Sequence, residues 1–372
     1  MEYQAYVIKL NIFYDSLLKY LQNSSFDEDN YNFLIHSINQ FILLEHPELF
    51  QKFLQLLSVL SVCYHRNKHF IDNIFHLFKK YQNQIKKTFS NTFLFDLFKD
   101  YRLIILFLIK NKIITFDLNI YLKITTISPQ CTKFLAKEIN EFIDKENLHF
   151  KKVGILTDEL FEEKSSQICR YIQNDSIRDF VTFVTLNHNF NMNQKVPYDP
   201  MFEIDPFLYK NAEKLSVLEY AFYCGSMKII NYLLKNYERK LDSKLWYYAI
   251  HSGEPKLITL LEGRTNSFDV YFVQYFKEAV SFHQNAIAAY LLNSYPEYHH
   301  KIENNYMLKA IGDHNYYWLT TDFNLEDTFY YLFKSHYREL TNFYIKAKQE
   351  EFDNTTKVYD IVSIFYIFIK TY

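Results

Sequence analysis

The residues of this sequence with the most capacity for chemistry are histidines and cysteines that lie close together. His65 and His69 have the spacing that places two side chains on one helix face, and Cys63 and His76 lie nearby. A zinc site needs three or four converging ligands at defined spacing, whereas the HRNKH segment supplies two. We interpret these histidines as structural or solvated residues and predict no metal site.

Acid–base and nucleotide chemistry have no stronger signal. His299-His300 lies in a polar segment between helices, which favours solvent exposure. Three carboxylates have the spacing of an exposed helix stripe: Glu159, Glu162 and Glu163. There is no G-x-G-x-x-G, Walker-type, G-x-S-x-G or H-E-x-x-H motif. We predict no catalytic residue and no cofactor; the alternative is an enzyme of unknown class with a site in the N-terminal helical region.

Composition excludes further classes of protein. The chain has 372 residues, a formal net charge of −2 and 5 glycines. Few glycines leave few backbone sites that can cradle a phosphate, and the balanced charge disfavours nucleic-acid binding. The 33 tyrosines and 36 phenylalanines occur in every segment. We therefore assign them to core and surface alike, rather than to one aromatic recognition surface.

The sequence also predicts a location. No two of the cysteines, Cys63, Cys131, Cys169 and Cys224, have the spacing of a metal finger or redox motif, which fits reduced thiols in the cytosol. The N-terminus lacks a basic region followed by an apolar block. The longest purely apolar run, 103–109, is far shorter than the roughly 20 residues that cross a bilayer. We expect a soluble, cytoplasmic chain that does not insert into a membrane.

Helix-start signals and helical periodicity run along the chain. Proline or a capping residue opens segments at 46–48, 128–129 and 174–176. Between such signals, apolar residues recur at intervals of three and four, as in Phe53, Leu56, Leu57 and Leu60. No stretch shows sustained apolar–polar alternation. The fold class is therefore predicted to be all-α.

A repeat organises the second half. A small residue recurs in four copies of one pattern: Ala221, Ala249, Ala279 and Ala310. A turn glycine follows in the first two copies as Gly225 and Gly253, and His283 takes that place in the third. A fifth copy spans 327–347. Small residues allow two helices to cross closely, and glycine suits a left-handed turn. The pattern predicts an α-solenoid of about five degenerate helical hairpins.

The pattern resembles the ankyrin repeat, whose A-x-x-x-G and I-V-x-x-L-L elements correspond to Ala221/Gly225 and to 229–234. More narrowly, the chain is similar to divergent ankyrin-repeat proteins of anaerobic parasitic protists, which have an N-terminal helical domain of unknown function. Four segments carry this resemblance: 64–91, 170–184, 218–234 and 245–262. The T-P-L-H signature of consensus repeats is absent.

The resemblance and the spacing together give four predicted parts. These are a helical N-terminal region (1–150), a helical connector with a proline-containing loop (151–214), ankyrin-like repeats (215–350) and a C-terminal capping helix (351–372). The resemblance implies a protein–protein interaction scaffold with a protein partner and no small-molecule cofactor. Ankyrin arrays usually bind through turn tips, so the residues before each turn are the candidate partner-binding residues, and we expect them to be exposed: Tyr223, Cys224, His251, Ser252, Ser281, Phe282, Lys334 and Ser335.

Overall fold

Helices make up all the regular structure that the described residues contain, which confirms the all-α prediction. The computed structural model describes residues 2–25, 27–46, 48–127, 129–148, 152–154, 167–196, 215–237, 241–262, 264–265, 268–302 and 310–319. Within them, β-structure is limited to one isolated bridge between Lys195 and Ser216. The stripe at Glu159–Glu163, the fifth repeat copy and the predicted capping helix lie outside these residues.

The first part of the chain is a bundle of helices, which we call the N-terminal bundle. Its helices are α1 (Glu2–Gln22), α2 (Glu28–Ser37), α3 (Leu49–Cys63), α4 (Lys68–Lys80), α5 (Gln82–Thr88), α6 (Asn91–Phe98), α7 (Arg102–Lys110), α8 (Leu118–Ile127), α9 (Pro129–Phe134) and α10 (Ala136–Lys145). A π-helix over Ile38–Glu45 follows α2 directly. The predicted starts are correct at α3, which begins after the proline segment 46–48, and at α9, which begins on Pro129.

Side-chain caps begin several of these helices. Asp27 accepts a hydrogen bond from the backbone N–H of Asn30 at the start of α2. Asn67 does the same for Phe70 in α4, at 3.1 Å. Such caps satisfy N–H groups that have no partner inside the helix. Between α3 and the Asn67 cap of α4, the chain makes a turn at residues 64–66.

The core of the N-terminal bundle follows the predicted apolar periodicity. Phe53, Leu56, Leu57 and Leu60 of α3 are all buried. On α4, Phe75 is partly buried and stacks flat on Phe107 of α7, with ring centroids 4.1 Å apart. Many of the aromatic residues thus pack against one another inside the bundle, as their even distribution along the sequence suggested.

The second part consists of helical hairpins. Its helices are α11 (Gln167–Gln173), α12 (Ile177–Leu186), α13 (Val217–Cys224), α14 (Met227–Asn236), α15 (Leu245–Ser252), α16 (Pro255–Leu261), α17 (Phe268–Ser281) and α18 (Asn285–Ser294). Short 3₁₀-helices follow at Pro296–Lys301 and Tyr316–Trp318. Helix α13 packs on α15, α15 packs on α17 and α16 packs on α18, so successive hairpins stack in chain order.

This hairpin stack begins earlier than the sequence alignment placed it. Helices α11 and α12, from the predicted connector, bury Ile168, Ile172 and Phe180 in the same core as the repeats. The carboxylate of Asp175, between these helices, accepts hydrogen bonds from Lys228 N and Ile229 N of α14, both at 3.1 Å. A carboxylate at a helix N-terminus stabilises that helix. The first hairpin is therefore fixed to the second by a cap between them.

None of the described helices is both long and apolar enough to cross a membrane.

Candidate functional site

The turns of the hairpin stack share one backbone conformation. Gly225 and Gly253 are left-handed, with φ of 70° and 71°. The equivalent residues of the next two copies, His283 and His314, are also left-handed, with φ of 55° and 59°. Asp175 has the same conformation in the first hairpin, with φ of 47°. The fourth copy, which has no glycine at this position, therefore keeps the turn.

The alanines lie where the helices of the stack are most crowded. Ala221, Ala249, Ala279 and Ala310 have no exposed surface. In three copies the alanine carbonyl accepts a hydrogen bond from the residue after the turn, as in Ser226 N to Ala221 O at 3.0 Å. This bond is the one that closes a Schellman-type helix end. The small residue and the left-handed turn therefore act together in these three hairpins.

Successive turns form one continuous surface, which we call the turn edge. A Cβ atom added to Gly225 would lie 3.5 Å from the Ser252 Cβ of the next turn. The rings of Tyr223 and His251 have centroids 6.5 Å apart, and those of His251 and Phe282 are 3.5 Å apart. His251 Nε2 lies 2.7 Å from a Glu278 carboxylate oxygen. The residues that the sequence nominated in the first three copies therefore lie close together.

The expected exposure of these residues is wrong at Tyr223 and His251. Tyr223 has no exposed surface and His251 is 6% exposed. Cys224, Ser252, Ser281 and Phe282 are half-buried. Lys334 and Ser335 lie outside the described residues. Substituting Tyr223 or His251 therefore alters the packing of the stack, and such variants cannot test binding alone.

The N-terminal bundle covers Tyr223 at this edge, whereas His251 packs on Phe282 and contacts Glu278 within the stack itself. The guanidinium of Arg66 lies over the Tyr223 ring, 3.6 Å from its centroid, and Arg66 Nη1 donates a hydrogen bond to the Tyr223 carbonyl at 2.6 Å. Two residues earlier, the Tyr64 hydroxyl donates to the His283 carbonyl at 3.0 Å. The turn at 64–66 of the bundle thus lies along the turn edge. Sequence reasoning missed this contact because nothing in the local pattern of 64–66 indicates it.

His283 is the centre of the junction between the two parts. Its Nε2 lies 2.9 Å from the Asp313 carbonyl, which can only accept, so Nε2 carries the proton. Its Nδ1 then accepts a hydrogen bond from the Tyr14 hydroxyl of α1, at 2.6 Å. The Asn285 amide donates to the same Tyr14 oxygen at 3.3 Å. These buried groups form a network in which the neutral imidazole satisfies both of its nitrogens.

Burial keeps the histidines of this junction neutral. It lowers the pKa of His283 to about 4, an effect that the hydrogen bond to the Asp313 carbonyl only partly opposes. Burial also lowers the pKa of His314. Together with the positive charges of Lys52 and, when it is protonated, His283, burial brings this pKa to about 3. Burial raises the pKa of Tyr14 well above its usual value, so its hydroxyl remains a donor. A buried charge here is unfavourable because no water solvates it.

The metal candidates do not converge in the structure. His65 lies in the turn at 64–66 and His69 lies in α4, so the two do not share one helix; His65 Nδ1 is 2.8 Å from the Val62 carbonyl. His76 contacts the Tyr20 hydroxyl, at 2.8 Å. No group of three potential ligands occurs within the residues that the structure describes. The side chains of His299 and His300 are not among them.

A small polar pocket lies at the end of α1, where Asp27, His69 and Asp72 face a cavity of about 180 Å³. Asp27 caps α2 as described above. Asn73 donates hydrogen bonds to the carbonyls of Tyr20, Leu21 and Asn23. These side chains therefore hold the ends of helices. The alternative of an enzyme with a site in the N-terminal helical region stays an untested prediction.

Comparisons with models of protein families, with curated proteins and with solved structures gave no match.

Proposed function

We propose that this chain is a protein-binding scaffold whose second half is an ankyrin-like α-solenoid. The observation that supports the proposal best is the stack of hairpins with buried alanines and left-handed turns in register. A hairpin in such a stack buries its apolar face only against its neighbours, so the array holds successive turns at fixed spacing. A row of turns at fixed spacing is suited to binding an extended or folded segment of another protein.

The resemblance to divergent ankyrin-repeat proteins of anaerobic parasitic protists supports the same proposal. Two of the four segments that carry it, 218–234 and 245–262, form the α13–α14 and α15–α16 hairpins. On this proposal the chain acts in the cytoplasm, needs no small-molecule cofactor and has no catalytic activity. The half-buried residues of the turn edge, Cys224, Ser252, Ser281 and Phe282, are the positions at which a partner makes contact.

The test changes a residue of the turn edge without removing a packed side chain. Ser281→Arg adds bulk and charge at a half-buried position, and Asn293→Arg makes the same change at an exposed position at the far end of α18. Affinity capture with full-length chains in cells of the source organism should recover a protein with the wild type and with Asn293→Arg. Ser281→Arg should lose it while keeping the wild-type melting temperature. A partner that all three chains recover equally would place the binding surface elsewhere.

A further inference from the structure

The turn edge gathers the C-terminal ends of three parallel helices. Helix α13 ends at Cys224, α15 ends at Ser252 and α17 ends at Ser281, each just before a turn. The last carbonyls of a helix carry a partial negative charge and lack partners inside the helix. The carboxylate of Glu278 lies on the same edge, with its side chain 27% exposed. The edge is therefore electronegative and suited to cationic groups.

Arg66 shows how a cation binds there. Its guanidinium lies over the Tyr223 ring and donates a hydrogen bond to the Tyr223 carbonyl, one of the end carbonyls of α13. A planar guanidinium can make both contacts at once, whereas the ammonium of lysine is a point charge. Arg66 is itself an exposed residue. The backbone of its turn is fixed by contacts of two neighbouring residues, Tyr64 and Asn67. The Arg66 head group lies on the turn edge, in contact with Tyr223.

We propose that the turn edge is a docking surface for an arginine-bearing segment of a partner protein, and that Arg66 occupies its first arginine position in the closed molecule. The next position along the edge lies at His251, Glu278 and Phe282. There the Glu278 carboxylate and the Phe282 ring occur together. This inference rests on the proposed function, because it names the chemistry of the partner that the scaffold binds. A partner must displace Arg66. The apparent affinity of the partner is therefore its intrinsic affinity multiplied by the fraction of molecules in which Arg66 has left the site.

The experiment uses fluorescein-labelled nona-arginine and full-length chains, with binding followed by fluorescence anisotropy. Arg66→Ala should bind the peptide about tenfold more tightly than the wild type, because the competing side chain is gone. Lys68→Ala removes a neighbouring exposed charge of the same sign and should bind like the wild type. Lys68→Ala should melt at the wild-type temperature, whereas Arg66→Ala loses two contacts with Tyr223 and should melt slightly lower while staying folded at the assay temperature.

Further arms test which chemistry is recognised. In the Arg66→Ala background, Glu278→Gln keeps a hydrogen-bonding partner for His251 but removes the charge, and it should weaken peptide binding about threefold. Nona-lysine should bind the Arg66→Ala chain more weakly than nona-arginine, because it cannot stack and donate together. Equal binding of the two peptides would overturn the assignment to arginine. Equal affinity of the wild type and Arg66→Ala, or no binding by either, would overturn the docking surface.

These outcomes are separable from the failure of the scaffold proposal. If Ser281→Arg loses a captured protein while nona-arginine shows no preference for Arg66→Ala, the chain is a scaffold whose partner is not recognised through arginine. If nona-arginine binds as expected but no protein is captured, the surface exists and the scaffold role is wrong.

Discussion

Acidification should weaken the junction at His283, and the size of the effect follows from its burial. His283 has a folded pKa of about 4 against an ordinary value of 6.5. A histidine whose folded pKa is lowered contributes stability above its unfolded pKa and loses it as the pH falls through 6.5 towards 4. One pKa unit corresponds to about 1.4 kcal/mol, so His283 alone should cost about 2 kcal/mol between pH 7 and pH 5. The protonated ring would also lose the hydrogen bond that Nδ1 accepts from Tyr14.

The groups around His283 do not remove this effect. Tyr14 and Tyr64 face it from the N-terminal bundle, and burial raises the pKa of both hydroxyls. His314 faces it from the following turn, and Lys52 adds positive charge there. Protonation of His314 would act in the same direction at still lower pH. The Asp313 backbone carbonyl is the acceptor that favours the protonated ring, and its effect is already contained in the value of about 4.

The assay compares the wild type with His283→Asn, since asparagine tolerates the left-handed conformation and does not titrate. Urea unfolding is followed by tryptophan fluorescence at pH 7 and pH 5, because both tryptophans of the chain, Trp246 and Trp318, lie in the core of the hairpin stack. The wild type should lose about 2 kcal/mol more than the variant between the two pH values. Carboxylates that titrate in both chains cancel from the comparison. Equal losses in the two chains would refute the claim that His283 is buried and neutral.

Three further predictions concern stability, each measured by the same urea titration at pH 7. Leu233→Asp places an unpaired charge in the fully buried face of α14 and should cost several kcal/mol (about 3–5), whereas Asn231→Asp on the exposed face, in the middle of α14, should change stability by less than about 0.5 kcal/mol. Asp175→Ala removes the cap that joins the first hairpin to α14 and should cost about 1–2 kcal/mol; no loss would mean that the two hairpins are not coupled there. Lys52→Met should stabilise the chain by about 1 kcal/mol, because burial lowers the pKa of Lys52 to about 8 and its charge is unfavourable below that pH. This gain should shrink as the pH rises from 8 towards 10.5, and a constant gain would contradict the reasoning.

The sequence was informative wherever one residue type has one structural use. Alanine at a helix crossing and glycine in a left-handed turn are such cases, so Ala221, Gly225, Ala249 and Gly253 lie where the spacing predicted. Apolar residues at intervals of three and four likewise identified the buried faces of α3 and α4. These features depend on contacts close in the chain or repeated along it, which a single sequence records directly.

Contacts between segments that are far apart in the sequence produce no comparable pattern in it. Exposure of Tyr223 and His251 was expected because turn tips of an isolated array face solvent. Instead, Arg66 of the bundle, more than 150 residues away, covers Tyr223, and Phe282 of the next turn packs on His251. An arginine in a turn is common on any protein surface, so its sequence context carries no information about its partner. The contact of the N-terminal bundle with the turn edge depends on how the two parts pack. Only the three-dimensional structure reveals it.

The residues that depart from glycine in the turns explain why the repeat was partly hidden. A left-handed turn costs a residue with a side chain about 1 kcal/mol relative to glycine, so such a residue persists only where its side chain makes compensating contacts. Asp175 caps α14, and His283 joins Tyr14 to the Asp313 carbonyl. Glycine remains at 225 and 253, where φ of 70° and 71° is the conformation that glycine adopts most readily. In the turns at Asp175 and His283, the side chain that replaces glycine thus reaches beyond its own hairpin.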